Sequence, residues 1–272
     1  MMNRILDDPA AWLPFLLFWP ILLAIAAAEL WRPLYVGRSE PGSRIPVNVA
    51  FGLINAGIAA FLPLSTVLAA GWAERHDIGL LNLLDAPPAA AMASTVAIRS
   101  LANYLVHRAS HALPWLWRIH RVHHADTALD LSTGLRNHPL ELAVVAPALA
   151  AVAVAAGLDP LALLLYEAVA LPFGLWSHAN LRLPPRLDRK LRLLFVTPAM
   201  HHVHHSARRE ETDSNFGDVF SLWDRLFGTY VALDGRALQA ARFGLGDMHD
   251  PRAASLGAQL LSPLRGEGRS EA

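Results

Sequence analysis

Residues 120–124 read His-Arg-Val-His-His and residues 201–205 read His-His-Val-His-His, so the pattern H-x-x-H-H occurs twice in this chain. An H-x-x-x-H pattern of the same length but with two histidines, His107 and His111, precedes both. The chain has only 13 histidines in 272 residues, so chance does not explain this clustering. The eight motif imidazoles are His107, His111, His120, His123, His124, His201, His204 and His205. Imidazole nitrogens are common ligands of transition metals, and the clustering predicts a bound centre of two ions.

The spacing within each motif fits helices that present imidazoles on neighbouring turns. Residues i and i+4 share one face of a helix, so His107 and His111 are able to chelate one ion. Adjacent residues such as His123 and His124 diverge by about 100° around the helix axis. We therefore expect one of them to serve each of two ions, with the two triplets facing each other and the pair at 107 and 111 closing the cage.

The composition indicates a membrane protein rather than a soluble one. The chain is 54% hydrophobic and only 17% charged, whereas a soluble domain carries more charge. Its formal net charge is +0, so no overall attraction to nucleic acid is expected. The absence of cysteine excludes disulfides, cysteine–zinc sites and iron–sulfur clusters. The bias towards Arg, Ala and Leu suggests a GC-rich bacterial genome and hence a bacterial inner membrane.

Five apolar segments are spread along the chain. They cover residues 11–30, 48–72, 88–106, 140–157 and 160–177. The first three are long enough to span a bilayer, which takes about 20 helical residues. The last two form a tight helical hairpin that either crosses fully or dips in and returns. We predict an all-α, multi-pass membrane bundle of four or five membrane segments with a histidine-lined, two-metal cap on its cytoplasmic side. The first segment is interpreted as an anchor rather than a cleaved signal peptide.

Arginine distribution predicts the orientation of the bundle. The loop at 31–47, the segment 107–139 and the tail after 178 are richer in Arg than the loop at 73–87. This places the N-terminus outside and every histidine motif on the cytoplasmic side. The corresponding domain division is N-terminal anchor helices at 1–86, a catalytic region at 87–235 and a cytoplasmic tail at 236–272.

Several residues outside the motifs are further site candidates. His178 ends the last apolar segment and is a candidate ligand. The candidates for a supporting or cavity-lining role are His138, His202, Asn180, Asn103, Arg99 and Asp224. Arg99 and Glu167 lie in apolar segments and are able to pair with each other, with snorkelling or a purely structural role as the alternative, while Arg99, Asn103 and His107 form a stripe that could line a substrate cavity.

Two further expectations concern residues other than the candidate metal ligands. His76 and His249 are expected to be solvated in loops. The 3–4 residue spacing of apolar side chains over residues 216–227 predicts an amphipathic helix that caps the metal site or lies on the membrane surface.

All-imidazole ligation suits Zn, Cu, Fe or Ni. Eight or more ligands exceed what one structural zinc needs, so two irons that activate O₂ fit better, with zinc as a possible substitute in purified material. Two alternatives stay open. A zinc-dependent membrane hydrolase would need a glutamate base, and the chain has no H-E-x-x-H motif. A metal transporter or non-catalytic metal-binding protein would place its ligands at mid-membrane depth.

The chain resembles the fatty acid hydroxylase/sterol desaturase superfamily of membrane di-iron oxygenases over about residues 90–230. Besides the histidine motifs, the similar stretches are Arg-Asn-His-Pro-Leu-Glu at 136–141, Thr-Pro at 197–198, Asn-Phe-Gly at 215–217 and Leu-Trp-Asp-Arg-Leu-Phe-Gly-Thr-Tyr at 222–230. The resemblance implies an oxidoreductase that uses O₂ to hydroxylate or desaturate a lipid C–H bond. It implies that the eight motif histidines ligate two irons and that His178 is an additional ligand. It also implies a membrane lipid substrate and a separate electron donor of ferredoxin or cytochrome b5 type, and leaves the oligomeric state open.

Overall fold

A computed structural model describes residues 9–36, 41–61, 65–246 and 255–265 of the chain. Its α-helices are α1 (Pro9–Trp31), α2 (Pro41–Phe61), α3 (Thr66–Arg75), α4 (Leu80–Leu83), α5 (Pro88–Ala112), α6 (Pro114–His124), α7 (Pro139–Ala156), α8 (Pro160–His178), α9 (Pro185–Leu191), α10 (Pro198–His204), α11 (Arg209–Thr212), α12 (Leu222–Leu226), α13 (Gly235–Ala240) and α14 (Leu256–Leu261). Short 3₁₀ turns lie at Leu131–Leu135 and Ser262–Leu264. Within these ranges the β-structure consists of isolated bridges, so the predicted all-α fold is confirmed.

Several segments are long and apolar enough to cross a membrane. In the described part of the chain they are Arg44–Leu83, Pro88–Ala112, Pro139–Ala156 and Pro160–His178, beside a shorter apolar helix at Phe18–Trp31. Large apolar side chains on these segments face outwards, as at Leu53 (69% exposed) and Leu171 (58% exposed). Because lipid is the solvent that suits such faces, the chain is a multi-pass integral membrane protein, as predicted.

The predicted single segment at 48–72 is wrong in its extent. Two helices lie in this region: α2 ends at Phe61 and α3 begins at Thr66. A new helix begins at Thr66 because the side chain of Ser65 caps it and accepts a hydrogen bond from the Leu68 N–H at 3.4 Å.

The hairpin of α7 and α8 turns at the end of the bundle that lies away from the histidines. Gly157 closes α7 in a left-handed conformation (φ 66°), and the Asp159 side chain accepts a hydrogen bond from Ala162 N–H at 2.7 Å to start α8. A Cβ atom on Gly79 would lie 2.3 Å from the Gly157 nitrogen, so the turn before α4 packs directly on this hairpin. The 18 and 19 residues of the two helices are each long enough to cross a membrane.

The predicted amphipathic helix over residues 216–227 is also wrong in its extent. Only α12, Leu222–Leu226, is helical, and the residues before it form an irregular loop. Asn215 adopts a left-handed conformation (φ 53°), and a Cβ atom on Gly217 would lie 2.4 Å from the Phe220 carbonyl oxygen. The backbone N–H groups of Phe216 and Gly217 donate to the Asp224 carboxylate instead of to a preceding helical turn. This loop nevertheless places Phe216 against the histidine rings.

A buried polar network joins α2 to the segment that follows α6. The Arg44 guanidinium pairs with Asp126 at 3.1 Å and also with Asp130. Asn48 donates to Asp126 at 2.8 Å and accepts from Arg136 at 3.0 Å. The network therefore fixes the segment directly after the His120–His124 motif against a membrane helix.

Replacing Asp126 with alanine should destabilise the fold strongly. It leaves the buried Arg44 guanidinium with reduced compensation, a change that costs about 3–5 kcal/mol in buried ion pairs. The matched control is Arg208→Ala, which removes an arginine whose side chain is 73% exposed and which pairs with Glu211 at 3.2 Å. The control should cost at most about 1 kcal/mol. Thermal unfolding of the two variants in detergent measures the difference, and equal losses would contradict a structural role for the network.

Candidate metal centre

The histidines converge as two neighbouring groups at one end of the bundle. The first group contains His107, His111, His120, His124 and His204, and the second contains His123, His178, His201 and His205. Within each group, one nitrogen of every ring lies within 4.8 Å of the others. Helices α5, α6, α8 and α10 and the residue after α10 supply these rings. Stretches that are far apart in sequence therefore form two potential ion sites.

In the second group the Nε2 atoms face one another. His178 Nε2 lies 3.0 Å from His123 Nε2, 3.0 Å from His201 Nε2 and 3.1 Å from His205 Nε2. His201 and His205 are 3.2 Å apart at the same atoms. Four nitrogens about 2.0–2.1 Å from one tetrahedral ion would lie about 3.3 Å apart, so the spacing suits a metal. Without a metal ion, hydrogen bonds among these four rings would still leave Nε2 lone pairs pointing at one another.

The first group shows the same need for a cation. The Nε2 atoms of His107, His120, His124 and His204 are buried and have no hydrogen-bond partner in the described part of the chain. The rings pack closely, with centroids 4.5 Å apart for His107 and His204. Since a buried polar atom without a partner costs free energy, the convergence of several at one point fits a bound ion.

The opposite ring nitrogen of most of these histidines is anchored by the protein. The Nδ1 atom lies within hydrogen-bond distance of Phe216 O (2.9 Å) for His107, Asp213 Oδ1 (3.2 Å) for His111, Glu141 Oε1 (2.9 Å) for His120, Arg136 O (3.2 Å) for His123, Ser214 O (2.7 Å) for His204 and Gly174 O for His178. Carbonyl and carboxylate oxygens accept, so Nδ1 carries the proton and Nε2 keeps its lone pair for a metal.

Burial keeps these rings neutral, as metal ligation requires. Outside the membrane segments, loss of solvent and the neighbouring imidazoles lower the pKa of His123, His124, His201 and His205 well below the ordinary value. Burial lowers the pKa of His204 to about 3. Neutral imidazoles at pH 7 leave their lone pairs available.

The distribution of the predicted ligands follows the helix geometry. The structure places His123 and His124 in different groups, and does the same with His204 and His205. Each adjacent pair therefore divides between two potential ions. His178 lies in the second group, where its Nε2 is close to three other Nε2 atoms.

The remaining histidines lie outside both groups. His202 stacks on Tyr35 and its Nε2 donates to the His178 carbonyl at 3.1 Å, so it supports the segment that carries His178. His138 caps α7, because its Nδ1 accepts from the Leu140 N–H at 3.1 Å. His76 is exposed, with Nδ1 2.8 Å from the Trp72 carbonyl oxygen, and lies at the end of α3. His249 lies outside the described residues.

Two of the predicted supporting residues, Asn180 and Asp224, hold backbone segments in place through hydrogen bonds. Asn180 exchanges hydrogen bonds with the backbone of Tyr35, at 2.7 Å and 3.0 Å, and so ties the end of α1 to the segment after α8. The Asp224 carboxylate accepts from Phe216 N–H at 2.7 Å, Gly217 N–H at 2.9 Å and the Thr229 hydroxyl at 2.7 Å. Asp224 thus fixes the loop whose carbonyl at Phe216 anchors His107.

Sequence reasoning missed the acidic partners of the histidines. Glu141 belongs to the Arg-Asn-His-Pro-Leu-Glu stretch, so its position in that motif was an available signal. Asp213 and Asp126 belong to no motif in this single sequence, and only the fold brings them to His111 and to Arg44.

A cavity of about 400 Å³ opens beside the histidines. Rings from both groups line it: His107, His120, His123, His178 and His201. Its other walls combine apolar groups, such as Val145 and Phe216, with polar groups, such as Asn103, Glu141 and Asp218. A molecule in this cavity would therefore contact both potential ion sites, which makes the cavity a candidate substrate site.

Comparison with known proteins gives the family. The fatty acid hydroxylase family matches residues 92–229, a range that contains every histidine of both groups. The chain is 33% identical over 138 residues to human alkylglycerol monooxygenase, a match that covers 47% of this chain and 28% of that protein. It is 31% identical over 138 residues to ornithine lipid hydroxylase OlsE of Rhizobium tropici, covering 50% of this chain and 40% of that protein.

A third relative is similar over a longer range. A very-long-chain aldehyde decarbonylase of Oryza sativa subsp. japonica is 25% identical over 252 residues, covering 89% of this chain and 83% of that protein. The chain spans less than half of the length of the alkylglycerol and ornithine lipid enzymes that it matches. No solved structure matches it. The family match covers 138 of 272 residues, and the chain therefore belongs to the fatty acid hydroxylase family.

Proposed function

We propose that this chain is a membrane oxygenase that holds one iron in each histidine group and uses O₂ to hydroxylate or desaturate a lipid. One observation carries the proposal: the walls of a single cavity include rings from both groups. Family membership and the hydroxylase and monooxygenase names of similar proteins support it. Nine imidazoles and no thiolate form a donor set that suits iron, and zinc is a substitute that the same nitrogens accept.

The overall reaction is balanced with a two-electron donor. Hydroxylation converts R–H, O₂, two electrons and two protons into R–OH and H₂O. Desaturation converts two neighbouring C–H bonds, O₂, two electrons and two protons into an alkene and two H₂O. When bound, the two irons would supply the activation of O₂ that side chains lack. The electrons come from a separate donor of ferredoxin or cytochrome b5 type.

The protein's own residues bind the ions, orient the histidine rings and keep water away from them. The Nε2 atoms bind the ions, and the hydrogen bonds at Nδ1 fix each ring in its orientation. Phe216 and Trp117 pack edge-on or tilted against His111, with ring centroids 5.2 Å and 5.0 Å away, and keep water from that side. The cavity beside the rings holds the carbon that is attacked.

The lipid substrate enters the cavity sideways from the bilayer, between membrane helices. Three membrane helices contribute walls to the cavity: Asn103 and Val106 from α5, Val145 from α7 and Gly174 from α8. The arginine-rich loops favour a cytoplasmic position for the metal end, where a soluble donor reaches it. We assign residues 87–235 to the catalytic region, 1–86 to the anchor and 236–272 to the tail, in which the Leu260 carbonyl lies 3.1 Å from His138 Nε2 at the start of α7.

Replacing one ligand in each group should remove metal and abolish lipid oxidation. His204→Ala tests the first group and His123→Ala the second, since each supplies a buried nitrogen to its own ion. His76→Ala is the matched control because His76 is exposed and belongs to neither group. Iron content per purified chain and product formation are measured together. Full turnover in either group variant, or metal loss in the control, would refute the assignment.

Replacing Glu141 with glutamine should weaken the centre without removing a ligand. The Glu141 carboxylate accepts from His120 Nδ1 at 2.9 Å, and loss of such an outer partner costs about 10–100-fold in metal affinity or activity. Iron affinity measured by competition with a chelator gives the value. Glu210→Gln, at an exposed glutamate of the short helix α11 that belongs to neither group, provides the control. An unchanged affinity in Glu141→Gln would mean that this hydrogen bond does not tune His120.

Lipid mass spectrometry tests the reaction type. Cells that express the chain should contain a lipid that has gained one oxygen or lost two hydrogens relative to cells that express His204→Ala. The inactive variant keeps the protein in the membrane, so any difference reports chemistry. Identical lipid profiles under aerobic conditions, with iron bound, would oppose the proposed function and favour a metal-binding protein without this activity.

A further inference from the structure

A polar cluster lies inside the membrane bundle, one to two helical turns from the metal ligand His107. Its members are Arg99, Asn103, Tyr166, Glu167 and Asp218. The Arg99 guanidinium lies 3.5 Å from the Glu167 carboxylate, as the sequence suggested, and also donates to Asn103. Asn103 in turn donates to Asp218. Ionisable groups at this depth are costly, so they point to a function.

The cluster leaves one buried carboxylate oxygen without a partner, and the buried Arg99 Nε also has none among the described residues. Asp218 Oδ2 accepts from the Asn103 amide and from the Tyr166 hydroxyl, the latter at 2.9 Å. Asp218 Oδ1 is buried and has no partner among the described residues. The Arg99 guanidinium pairs with Glu167 and donates to Asn103, and the Asn103 amide links it to Asp218. A buried acceptor oxygen without a donor is unfavourable, so this oxygen suits a ligand that brings a donor.

The free oxygen belongs to a residue of the substrate cavity. Asp218 and Asn103 line the same cavity as His107 and His120. Asn103 lies four residues before His107 on α5, which is about 6 Å along the helix axis. A molecule that donates a hydrogen bond to Asp218 would therefore have its neighbouring carbons beside the histidine rings.

We propose that Asp218 recognises a hydroxyl group on the lipid substrate, close to the carbon that is attacked. This inference rests on the proposed function and deepens it, because it names the substrate class as hydroxyl-bearing lipids. The hydroxyl donates its hydrogen to Asp218 Oδ1, and the adjacent chain carbons lie at the metal groups. A hydroxyl fits the single free carboxylate oxygen of this cluster because it donates one hydrogen, whereas an ammonium group brings three.

Binding of matched probes tests this recognition without turnover. The full chain, loaded with iron and kept free of O₂, is titrated with hexadecanol, hexadecyl methyl ether and hexadecylamine. The ether has the same chain but no donor, so wild type should bind the alcohol about 10–100-fold more tightly. In Asp218→Asn the amide offers a donor where the carboxylate accepts, and an ether oxygen is able to accept it. The alcohol-to-ether ratio should then fall to near one.

Glu167→Gln is the matched control. It removes a carboxylate from the same cluster, but Glu167 does not line the cavity, so the alcohol preference should persist. If Asp218→Asn and Glu167→Gln lost the preference for the alcohol equally, the cluster would have only a structural role and the proposal would be overturned. A wild-type ratio near one, or preference for the amine alone, would overturn it as well. If Asp218→Asn does not fold, the three wild-type affinities still decide. A failure of the proposed oxygenase function would be seen in a different experiment, the lipid mass spectrometry, as cellular lipids that stay unchanged although iron is bound.

Discussion

Convergence of buried imidazole lone pairs is the constraint on which the rest of this structure depends. Nine rings from four helices and the residue after the last of them point nitrogens into two small volumes. In the second group four Nε2 atoms lie 3.0–3.2 Å from their neighbours, a spacing that protons alone do not satisfy. The convergence therefore forms two positions that suit positive charge, and a bound cation at each would offset the cost of burying these atoms.

Much of the remaining polar architecture serves to hold those rings. Carbonyl groups of the loop before α12 anchor His107 and His204, and Asp224 in turn holds that loop. The Arg44–Asp126 pair supports the segment beyond His124 from a different membrane helix. In a bilayer, where the apolar faces of helices meet lipid of similar polarity, hydrogen bonds of this kind specify how the helices assemble.

The local patterns of the sequence predicted the helices and the separation of adjacent histidines into two groups, because both follow from fixed geometry. The 100° step between neighbouring residues separates His123 from His124, and the structure places them in different groups. Apolar stretches of membrane length predicted the spanning segments, although 48–72 is two helices. The amphipathic spacing over 216–227 predicted a helix that does not form over its full length, because the left-handed Asn215 and the crowded Gly217 shape an irregular loop there.

The supporting groups escaped prediction for a different reason. Glu141, Asp213 and Asp126 meet their partners only through tertiary folding, over sequence separations of 21, 102 and 82 residues. Apolar periodicity carries no information about such contacts. The same holds for Asp218, which lies 115 residues from Asn103 and becomes visible as a site only when the cavity is seen.

X-ray absorption spectroscopy of the iron-loaded full chain tests the central claim most directly. We expect two irons per chain, each surrounded by nitrogen at about 2.0–2.2 Å with the outer-shell scattering of imidazole rings. Four or five imidazoles should surround each ion. A single iron per chain, or a shell dominated by oxygen with little imidazole scattering, would contradict it.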